Sequence, residues 1–427
     1  MAGKVKPLPG TADLWEPEVQ EWLFLENKAR EVLHCYGYGE VRTPILEKTD
    51  LFVRGLGDET EVVQKEMYTF EDRGGRSITL RPEGTAGIMR AIANVGLSQG
   101  EEKRVFSIGP MFRGERPAAG RRRQFHQIGV EAVGRCTPVM DAESIVMLLD
   151  YLAAVDITDT RLLLNTRGTA EDRKEVAPAL EKYFRGHIET MCSDCQRRLE
   201  GNVWRILDCK NEECQPIIQN APAIPELLGS DSKKFFEEVC RFLDRLGVSY
   251  ELEPRLVRGL DYYEQTVFEV IHEGENLGAQ NAVAGGGRYR ISLPGSEKHI
   301  SGVGFALGME RLMLARAPEL VGTEPAGMGE IDIFVGGKGE NARVENLKLA
   351  RELRENRYRV LVESENRSLK AQFRTADKVG ATVVLLQAES ELAKNVVACR
   401  NMDTAEQSEC PREKIVDWVK DNLDGDL

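Results

Sequence analysis

Arginine is concentrated in one short segment of the chain, GERPAAGRRRQ. Arg116, Arg121, Arg122 and Arg123 follow Arg113 within ten positions, in a chain whose formal net charge is -13. Guanidinium groups at this density repel one another unless an anion neutralises them, and their planar fork fits phosphate oxygens best. A solvated loop paired with neighbouring acids is the alternative. We favour a phosphate site, because the segment joins two predicted strands of a pocket floor.

Acidic and polar side chains fall near this segment in the predicted elements. Glu83 and Thr85 stand where a predicted strand turns into a helix, and there they either cap the helix or belong to a site. Gln127 and Glu131 share one face of a predicted strand with glycine-sized gaps, which favours the base of a ligand pocket. Glu131 then either pairs with the arginines or accepts a hydrogen bond from a cationic or N–H ligand.

Two further clusters lie far along the chain. A loop before the strand-like run TVFEV is crowded by Arg258, Asp261, Tyr262 and Tyr263, and this polar and aromatic density indicates a candidate pocket wall. Arg311 falls on the first turn of a predicted helix in SGVGFALGMERL, where an exposed arginine on an ordinary amphipathic helix is the simpler interpretation. No G-x-x-x-x-G-K-[ST] motif is present, which excludes a P-loop nucleotide site.

Four of the nine cysteines fall in one segment: Cys192, Cys195, Cys209 and Cys214. They form C-x2-C, then thirteen residues, then C-x4-C, and these spacings are compatible with a tetrahedral zinc site. The alternative is four reduced, partly buried cysteines in a helical insertion. We expect reduced cysteines without zinc, so the sequence alone predicts no metal ion bound by protein side chains.

The composition is that of an ordinary globular protein. The 427 residues are 41% hydrophobic and 30% charged, which predicts two or three domains and more than one core. The acidic net charge excludes nucleic-acid binding driven by overall positive charge, but it leaves a local basic patch open. Neither a signal-peptide core nor a long uncharged apolar stretch is found. We therefore expect a cytoplasmic protein with reduced cysteines and no membrane association.

The predicted elements that must position these residues are of two kinds. An amphipathic helix over 16–37 precedes a short strand at 40–43, and residues 104–133 predict an antiparallel hairpin. The stretch 169–254 is mostly helical, and we interpret it as an insertion. After a Pro- and Gly-rich linker at 317–330, strands and helices alternate, which predicts a small, mostly parallel α/β domain.

Several segments resemble a known family. YGYGEVRTPILE, FSIGPMFRGERPAAGRRRQFHQIGVEAVG and GVGFALGMERL resemble motifs 1, 2 and 3 of class II aminoacyl-tRNA synthetases. TLRPEGTA, RQFHQIGVE and above all LVRGLDYYEQTVFEV resemble histidyl-tRNA synthetases, and the resemblance runs from PLPGTADLW to the end of the chain. It implies an α+β catalytic domain over 1–325, with an antiparallel sheet flanked by helices and the helical insertion at 169–254. A C-terminal α/β anticodon-binding domain over 330–427 is also implied.

The resemblance also implies an activity and its partners. L-histidine would react with ATP, with Mg²⁺ as the cofactor, to give histidyl-adenylate and pyrophosphate. The acyl group would then pass to the 3′ end of tRNA(His), and two chains would form a homodimer through motif 1. The histidine carboxylate would itself attack the α-phosphorus, so no protein nucleophile is required. Because this attack brings two anions together, it needs cations placed where charge accumulates.

The roles of individual residues follow from the same resemblance. Arg113 and Arg258 would contact the α-phosphate and are the expected catalytic residues. Five further residues would bind the adenine or the outer phosphates of ATP: Glu115, Arg121, Arg123, Phe125 and Arg311. Six residues would bind histidine, the first three at its α-amino group and the others at or near its imidazole: Glu83, Thr85, Gln127, Glu131, Tyr263 and Tyr289.

One position departs from the family pattern, and two other functions compete. Arg290 follows GGRY where the family has an acidic or neutral residue, which changes the charge beside Tyr289. A synthetase-like regulatory subunit of ATP phosphoribosyltransferase is the main alternative. Such paralogues typically lose the C-terminal domain and motif residues, whereas Arg113, Arg258 and Arg311 are all present here. A stress-sensing pseudo-synthetase would need a kinase or other partner domain, of which these residues give no sign.

Overall fold

The structure is a computed structural model that describes residues 5–58, 60–97, 101–295, 299–316, 331–365 and 367–423. The chain divides into two compact units, residues 1–321 and 322–427. The predicted linker at 317–330 lies outside the described residues, so the domain bounds 1–325 and 330–427 stay predictions. Within the described residues, none of the helices is both long and apolar enough to cross a bilayer.

The first unit contains eleven strands among its described residues. They are β1 (Gly39–Glu40), β2 (Leu46–Lys48), β3 (Thr69–Glu71), β4 (Ser77–Leu80), β5 (Lys103–Phe112), β6 (Gln124–Val133), β7 (Thr160–Thr166), β8 (Glu251–Leu252), β9 (Tyr263–His272), β10 (Ala282–Ser292) and β11 (His299–Gly308). Eight of them form one sheet in the order β1-β5-β6-β11-β10-β9-β7-β8, and β2, β4 and β3 form a small separate sheet.

The large sheet is mixed rather than wholly antiparallel. Its neighbours from β5 to β7 pair antiparallel, as expected. The two short edge strands β1 and β8 instead pair parallel with β5 and β7. The hairpin predicted over 104–133 is confirmed as β5 and β6, whereas the strand predicted at 40–43 shortens to the two residues of β1.

Helices cover the sheet on both faces and make this unit an α+β structure. They are α1 (Glu18–Cys35), α2 (Thr49–Leu56), α3 (Thr85–Val95), α4 (Pro138–Ala154), α5 (Ala170–Arg185), α6 (Ser193–Glu200), α7 (Gln215–Gln219), α8 (Ile224–Leu227), α9 (Ser230–Arg245) and α10 (Met309–Ala315). One core joins α1, α4 and α9 to Phe106 and Phe268 of the sheet. A second core joins α2 and α3 to Val267 and Tyr289 on the opposite face. Alternate residues of each strand face opposite sides of the sheet, so polar residues of the same strands can line a cleft on the second face.

The predicted helical insertion has its own core, and only its last helix joins the main one. Apolar side chains of α5, including Val176 and Leu180, pack with Trp204 and three of the clustered cysteines. The last helix of the insertion, α9, packs on α4 instead, through Phe236 and Leu243. The part of the insertion before α9 therefore has a core of its own within the first unit.

The second unit is a five-stranded sheet with helices. Its elements are β12 (Ile333–Gly336), α11 (Glu340–Glu355), β13 (Val360–Val362), α12 (Leu369–Lys378), β14 (Val383–Leu386), α13 (Glu389–Lys394), β15 (Val396–Asn401), β16 (Gln407–Pro411) and α14 (Ile415–Leu423). The strand order is β13-β12-β14-β15-β16. The three predicted parallel strands are confirmed, and an antiparallel hairpin of β15 and β16 extends them.

Candidate active site

Two adjoining cavities on the second face of the large sheet form one cleft. They share five lining residues: Arg113, Gln127, Arg258, Gly285 and Ala306. These come from the β5 end, β6, the loop before β9, β10 and β11, so the centre of the sheet forms the floor of the cleft. One end of the cleft is lined by carboxylates and tyrosines, and the other end is lined by arginines.

Glu131 is the central carboxylate of the first end. It lies on β6 opposite Gly304 of β11, and a Cβ at Gly304 would collide with its carboxylate. The side chain is only 3% exposed, and its Oε1 accepts a hydrogen bond of 2.7 Å from the Thr85 hydroxyl. Its Oε2 makes no close hydrogen bond to any described residue, although the Tyr289 hydroxyl is near enough to interact with the carboxylate. The carboxylate therefore offers one free acceptor to the cleft.

Burial also sets the charge state of this end. It raises the pKa of Glu131 to about 8, although the hydroxyls of Thr85 and Tyr289 oppose the rise. Burial likewise raises the pKa of Glu83, against the N–H groups of Ala86 and Thr85. Two carboxyl groups thus share a poorly solvated space, where a cationic ligand group would favour their ionised forms.

Glu83 both caps a helix and lines the cleft. Its carboxylate accepts the backbone N–H groups of Thr85 and Ala86, at 2.7 and 2.8 Å, where α3 begins. The capping expected from sequence is therefore present, while Thr85 uses its hydroxyl for Glu131 instead. The same two residues line the carboxylate end of the cleft.

Three tyrosines complete this end. Tyr262 lies between the others, with its ring centre 4.6 Å from that of Tyr263 and 5.7 Å from that of Tyr289. All three are buried and line the cleft. Arg290 is exposed, because alternate residues of β10 face opposite sides of the sheet. The departure from the family pattern at Arg290 therefore leaves Tyr289 in the cleft.

Arg258 lies where the two cavities meet. Its Nη1 is 3.2 Å from Glu269 Oε2 on β9. A Cβ at Gly285, which pairs with Glu269 across β9 and β10, would collide with the Arg258 guanidinium. The glycine segment of β10 thus provides the room for a cation over the sheet, and Glu269 partly balances its charge.

Two other arginines are held by backbone carbonyls. Arg113 Nε donates to the Pro82 carbonyl at 2.9 Å, and its guanidinium lies 5.3 Å from the ring centre of Phe125. Arg311 donates to the carbonyls of Gly120 and Ala282, at 3.0 and 2.6 Å. Arg113 Nη1 also lies 3.8 Å from Glu115 Oε1, so part of its charge is balanced. The carbonyls around Arg311 do not neutralise its charge, which stays available for an anion.

The arginine-rich segment divides into two groups. Arg121 and Arg122 line the arginine end, and Arg121 pairs with Glu115 there. Arg116 is exposed and lines neither cavity. Arg123 also lines neither cavity, and its Nε donates to the Glu115 carbonyl at 3.1 Å. The ATP-binding role expected for Arg123 has no support from its position and stays a prediction.

Two cleft residues received no role from the sequence: Glu269 pairs with Arg258, and Glu310 accepts the His126 backbone N–H at 3.1 Å. Tyr262 was predicted only as part of a pocket wall, and it lies among the other tyrosines. Glu269 was detectable as the single carboxylate in the apolar run TVFEV. The pairing of Glu269 with Arg258 was not, because spacing along the chain does not give the path of the loop that carries Arg258 back over β9.

Comparison with known proteins agrees with this arrangement. The family model described as Histidyl-tRNA synthetase matches residues 10–312, and the model described as Anticodon binding domain matches residues 332–422. The histidine–tRNA ligase of Thermosipho melanesiensis is 45% identical over 98% of this chain and 99% of its own. That of Geobacillus sp. (strain WCH70) is 43% identical over 97% and 98%.

A solved structure gives the same result. The apo histidyl-tRNA synthetase of S. aureus matches with a TM-score of 0.78 and 35% identity, covering 98% of this chain and all of that one. The identity and coverage exceed what a shared fold alone would give. The chain therefore belongs to the histidyl-tRNA synthetase family of class II aminoacyl-tRNA ligases.

Proposed function

We propose that this cleft carries out the ligase reaction of the family on L-histidine, ATP and tRNA(His). The first step forms histidyl-adenylate and pyrophosphate, and the second transfers the histidyl group to the 3′ end of the tRNA. The observation that supports this proposal is the continuity of the cleft. Arg113 and Arg258 border both a carboxylate end, suited to an amino acid, and an arginine end, suited to phosphates.

The carboxylate end fits histidine at two groups. An imidazole N–H would donate to the free Oε2 of Glu131, with the hydroxyls of Tyr263 and Tyr289 nearby, and the α-ammonium would lie near Glu83 and Gln127. A buried polar group without a partner costs about 1–3 kcal/mol. A side chain that lacks the imidazole N–H would leave Glu131 unpaired, which supplies discrimination against other amino acids.

The arginines fit the adenylation step. The histidine carboxylate oxygen would attack the α-phosphorus, the bond to the β-phosphate oxygen would break, and pyrophosphate would leave. Arg113 and Arg258 would stabilise the negative charge that gathers at the α-phosphate, and Glu269 would position Arg258. Because both guanidinium groups are already fixed, little reorganisation is needed as the charge develops.

The arginine end fits ATP in its magnesium complex. The Phe125 ring offers a stacking surface for adenine, while Arg121 and Arg311 lie where outer phosphates would extend. Glu115, Glu269 and Glu310 line the same end, and their carboxylate oxygens are ligands that Mg²⁺ accepts together with phosphates. Bound there, Mg²⁺ would neutralise part of the triphosphate charge.

The second unit favours a ligase over the regulatory subunit. It matches an anticodon-binding domain, which a tRNA ligase needs and which the regulatory alternative does not use. The curated relatives from Thermosipho melanesiensis and Geobacillus sp., which span nearly the whole chain, are histidine–tRNA ligases, and the three key arginines are in place. Because tRNA is the proposed partner, we place the protein in the cytoplasm.

The small sheet suggests how two chains would form the proposed homodimer. Leu46 and Phe70 pair with Leu80 and Ile78 of β4, so these four apolar side chains share one face. Leu46 is 45% exposed and Phe70 is 47% exposed, whereas Thr79 on the opposite face is buried. An exposed apolar face of this kind marks an interaction surface, and motif 1 contributes Leu46 to it.

Purified protein should catalyse exchange of pyrophosphate into ATP that depends on histidine and needs no tRNA.

Arg258→Ala should lower the exchange rate by about 10²–10³-fold with little change in histidine affinity, because the cation acts on the α-phosphate. Glu131→Gln should mainly weaken histidine binding. Arg116→Ala, at an exposed arginine outside the cleft, is the matched control and should retain the wild-type rate.

Two results would contradict these assignments. Exchange with none of the twenty amino acids, under conditions where a known synthetase works, would favour the regulatory function. A loss of histidine affinity in Arg258→Ala as large as its loss of rate would place Arg258 at the amino acid instead of the phosphate.

The stability of the unliganded protein should reveal the raised pKa of Glu131. Its carboxyl has an ordinary pKa of 4.5 and a folded-state pKa of about 8. The contribution of this group to the free energy of unfolding is therefore fully present below pH 4.5 and falls as the pH rises, until it is lost above pH 8. Glu131→Gln keeps a neutral group at every pH. Its Tm minus that of the wild type should therefore increase between about pH 5 and 8.

The pH series is measured by differential scanning calorimetry without ligands. Glu71→Gln, on the exposed strand β3, controls for the loss of one surface carboxylate. If the Tm difference for Glu131→Gln were constant across the range, the raised pKa would be wrong.

Sedimentation equilibrium should give about twice the chain mass of 47.8 kDa. The double variant Leu46→Glu, Phe70→Glu should sediment as a monomer, because two like charges would then face each other across the seam. Leu252→Glu, at another exposed leucine, is the matched control and should stay dimeric. A wild-type protein that is monomeric at micromolar concentration would contradict the homodimer.

A further inference from the structure

The fold brings together the four cysteines of the insertion. The Sγ atoms of Cys192, Cys195, Cys209 and Cys214 all lie within 4.8 Å of one another. Three of these side chains are buried in the core of the insertion, and Cys192 is partly buried. None of them takes part in the proposed reaction, because the cluster lines neither cavity of the cleft.

The spacing of the sulfur atoms matches one tetrahedral ion. Four thiolates at the usual Zn–S distance of about 2.3 Å are separated by about 3.8 Å along each edge of the tetrahedron. The Sγ atoms of Cys192 and Cys209 are 3.7 Å apart. This separation is far longer than a disulfide bond, and all nine cysteines of the chain are free in the described structure. An iron–sulfur cluster would hold its thiolates further apart, around several metal atoms.

Two backbone N–H groups and one cation face the sulfur atoms of the cluster. The backbone N–H of Asn211 donates to Cys209 Sγ at 3.4 Å, and that of Cys192 donates to Cys214 Sγ at 3.3 Å. The Arg198 guanidinium interacts electrostatically with Cys195 and Cys209. Four thiolates around one divalent ion carry a net negative charge, and N–H donors and a nearby cation stabilise such a charge.

We propose that Cys192, Cys195, Cys209 and Cys214 together bind one structural Zn²⁺ ion. Four cysteine ligands close the coordination sphere and leave no open position for water or substrate, which is the arrangement of a structural site. The sequence favoured reduced cysteines, since spacing alone does not show whether two cysteine pairs meet. The convergence of all four sulfur atoms supplies the missing observation.

An ion at this position would stabilise a region with little regular structure. Between the outer cysteines, the longest helix is α6, with 8 residues, and the rest is loops and single helical turns. Such a region orders poorly by packing alone, and a metal bound only in the folded state adds its binding free energy to folding. The ion would therefore hold residues 196–208 in place.

This stabilised segment supports the loop that carries Arg258. Asn202 Nδ2 donates to Asp261 Oδ1 at 3.2 Å, and the Arg205 guanidinium lies beside Gly259. Trp204 packs under Arg167, whose guanidinium is 5.2 Å from the indole ring centre. The proposed zinc site is thus structural, but it is linked by direct contacts to the loop that borders the cleft.

The test is the metal content of the full-length protein, purified without a chelating resin from cells grown with zinc. Mass spectrometry of the metals should find about one zinc per chain. Cys195→Ser and Cys209→Ser should each contain less than about a tenth of an equivalent. Cys240→Ser, at a cysteine outside the cluster, is the matched control and should keep the wild-type zinc.

A second measurement covers the case in which the serine variants do not fold. Wild-type protein exchanged with Co²⁺ should show thiolate-to-metal charge transfer and the strong visible bands of a tetrahedral site. Iron in place of zinc, less than about a tenth of an equivalent of zinc in the wild type, or zinc kept by both serine variants would each overturn the proposal. These readouts do not use ligase activity, so they stay separate from the proposed function.

Discussion

A buried carboxylate with one unsatisfied oxygen lies at the centre of this protein. Glu131 is held over the backbone of Gly304, with the Thr85 hydroxyl on one oxygen and no close hydrogen bond from the described residues on the other. An ionised carboxylate in such a place is costly, and burial raises its pKa accordingly. The surrounding structure must therefore be rigid enough to keep the group in place until a ligand supplies the missing donor.

The large sheet provides this rigidity because one of its faces packs an apolar core while the other holds the charged groups. One face carries the apolar core with α1, α4 and α9, which is the largest of the apolar cores described in the first unit. The other face can then hold charged groups where glycine leaves room for them. Gly304 accommodates Glu131, and Gly285 accommodates Arg258 beside Glu269. The carboxylate end and the arginine end of the cleft are thereby joined over the same strands.

Elements with a strong local pattern were predictable from the sequence. The helix α1, the hairpin of β5 and β6 and the parallel strands of the second unit follow from periodicity and turn residues. Glu131, Gln127 and the tyrosines were identified as site residues from strand faces and from the family resemblance, and the structure places them in one cleft. Strand faces indicated Gln127 and Glu131 because both lie on one face of β6, whereas Tyr289 came from the family resemblance alone.

Features that depend on long-range packing were not predictable. The Arg258–Glu269 pair depends on the path of the loop before β9, and Arg123, unlike Arg121, has a backbone N–H that donates to the Gly10 carbonyl. Side chains that are neighbours in sequence can thus have different surroundings. The four cysteines show the same limit, since spacing permits a metal site but only the fold shows that the sulfur atoms meet.

The most direct test of the central claim is a crystal structure with ATP and histidinol, which lacks the carboxylate that reacts. We expect an imidazole nitrogen within hydrogen-bonding distance of Glu131 and the α-phosphate between Arg113 and Arg258. An imidazole bound away from Glu131, or a triphosphate that does not contact these two arginines, would contradict the account.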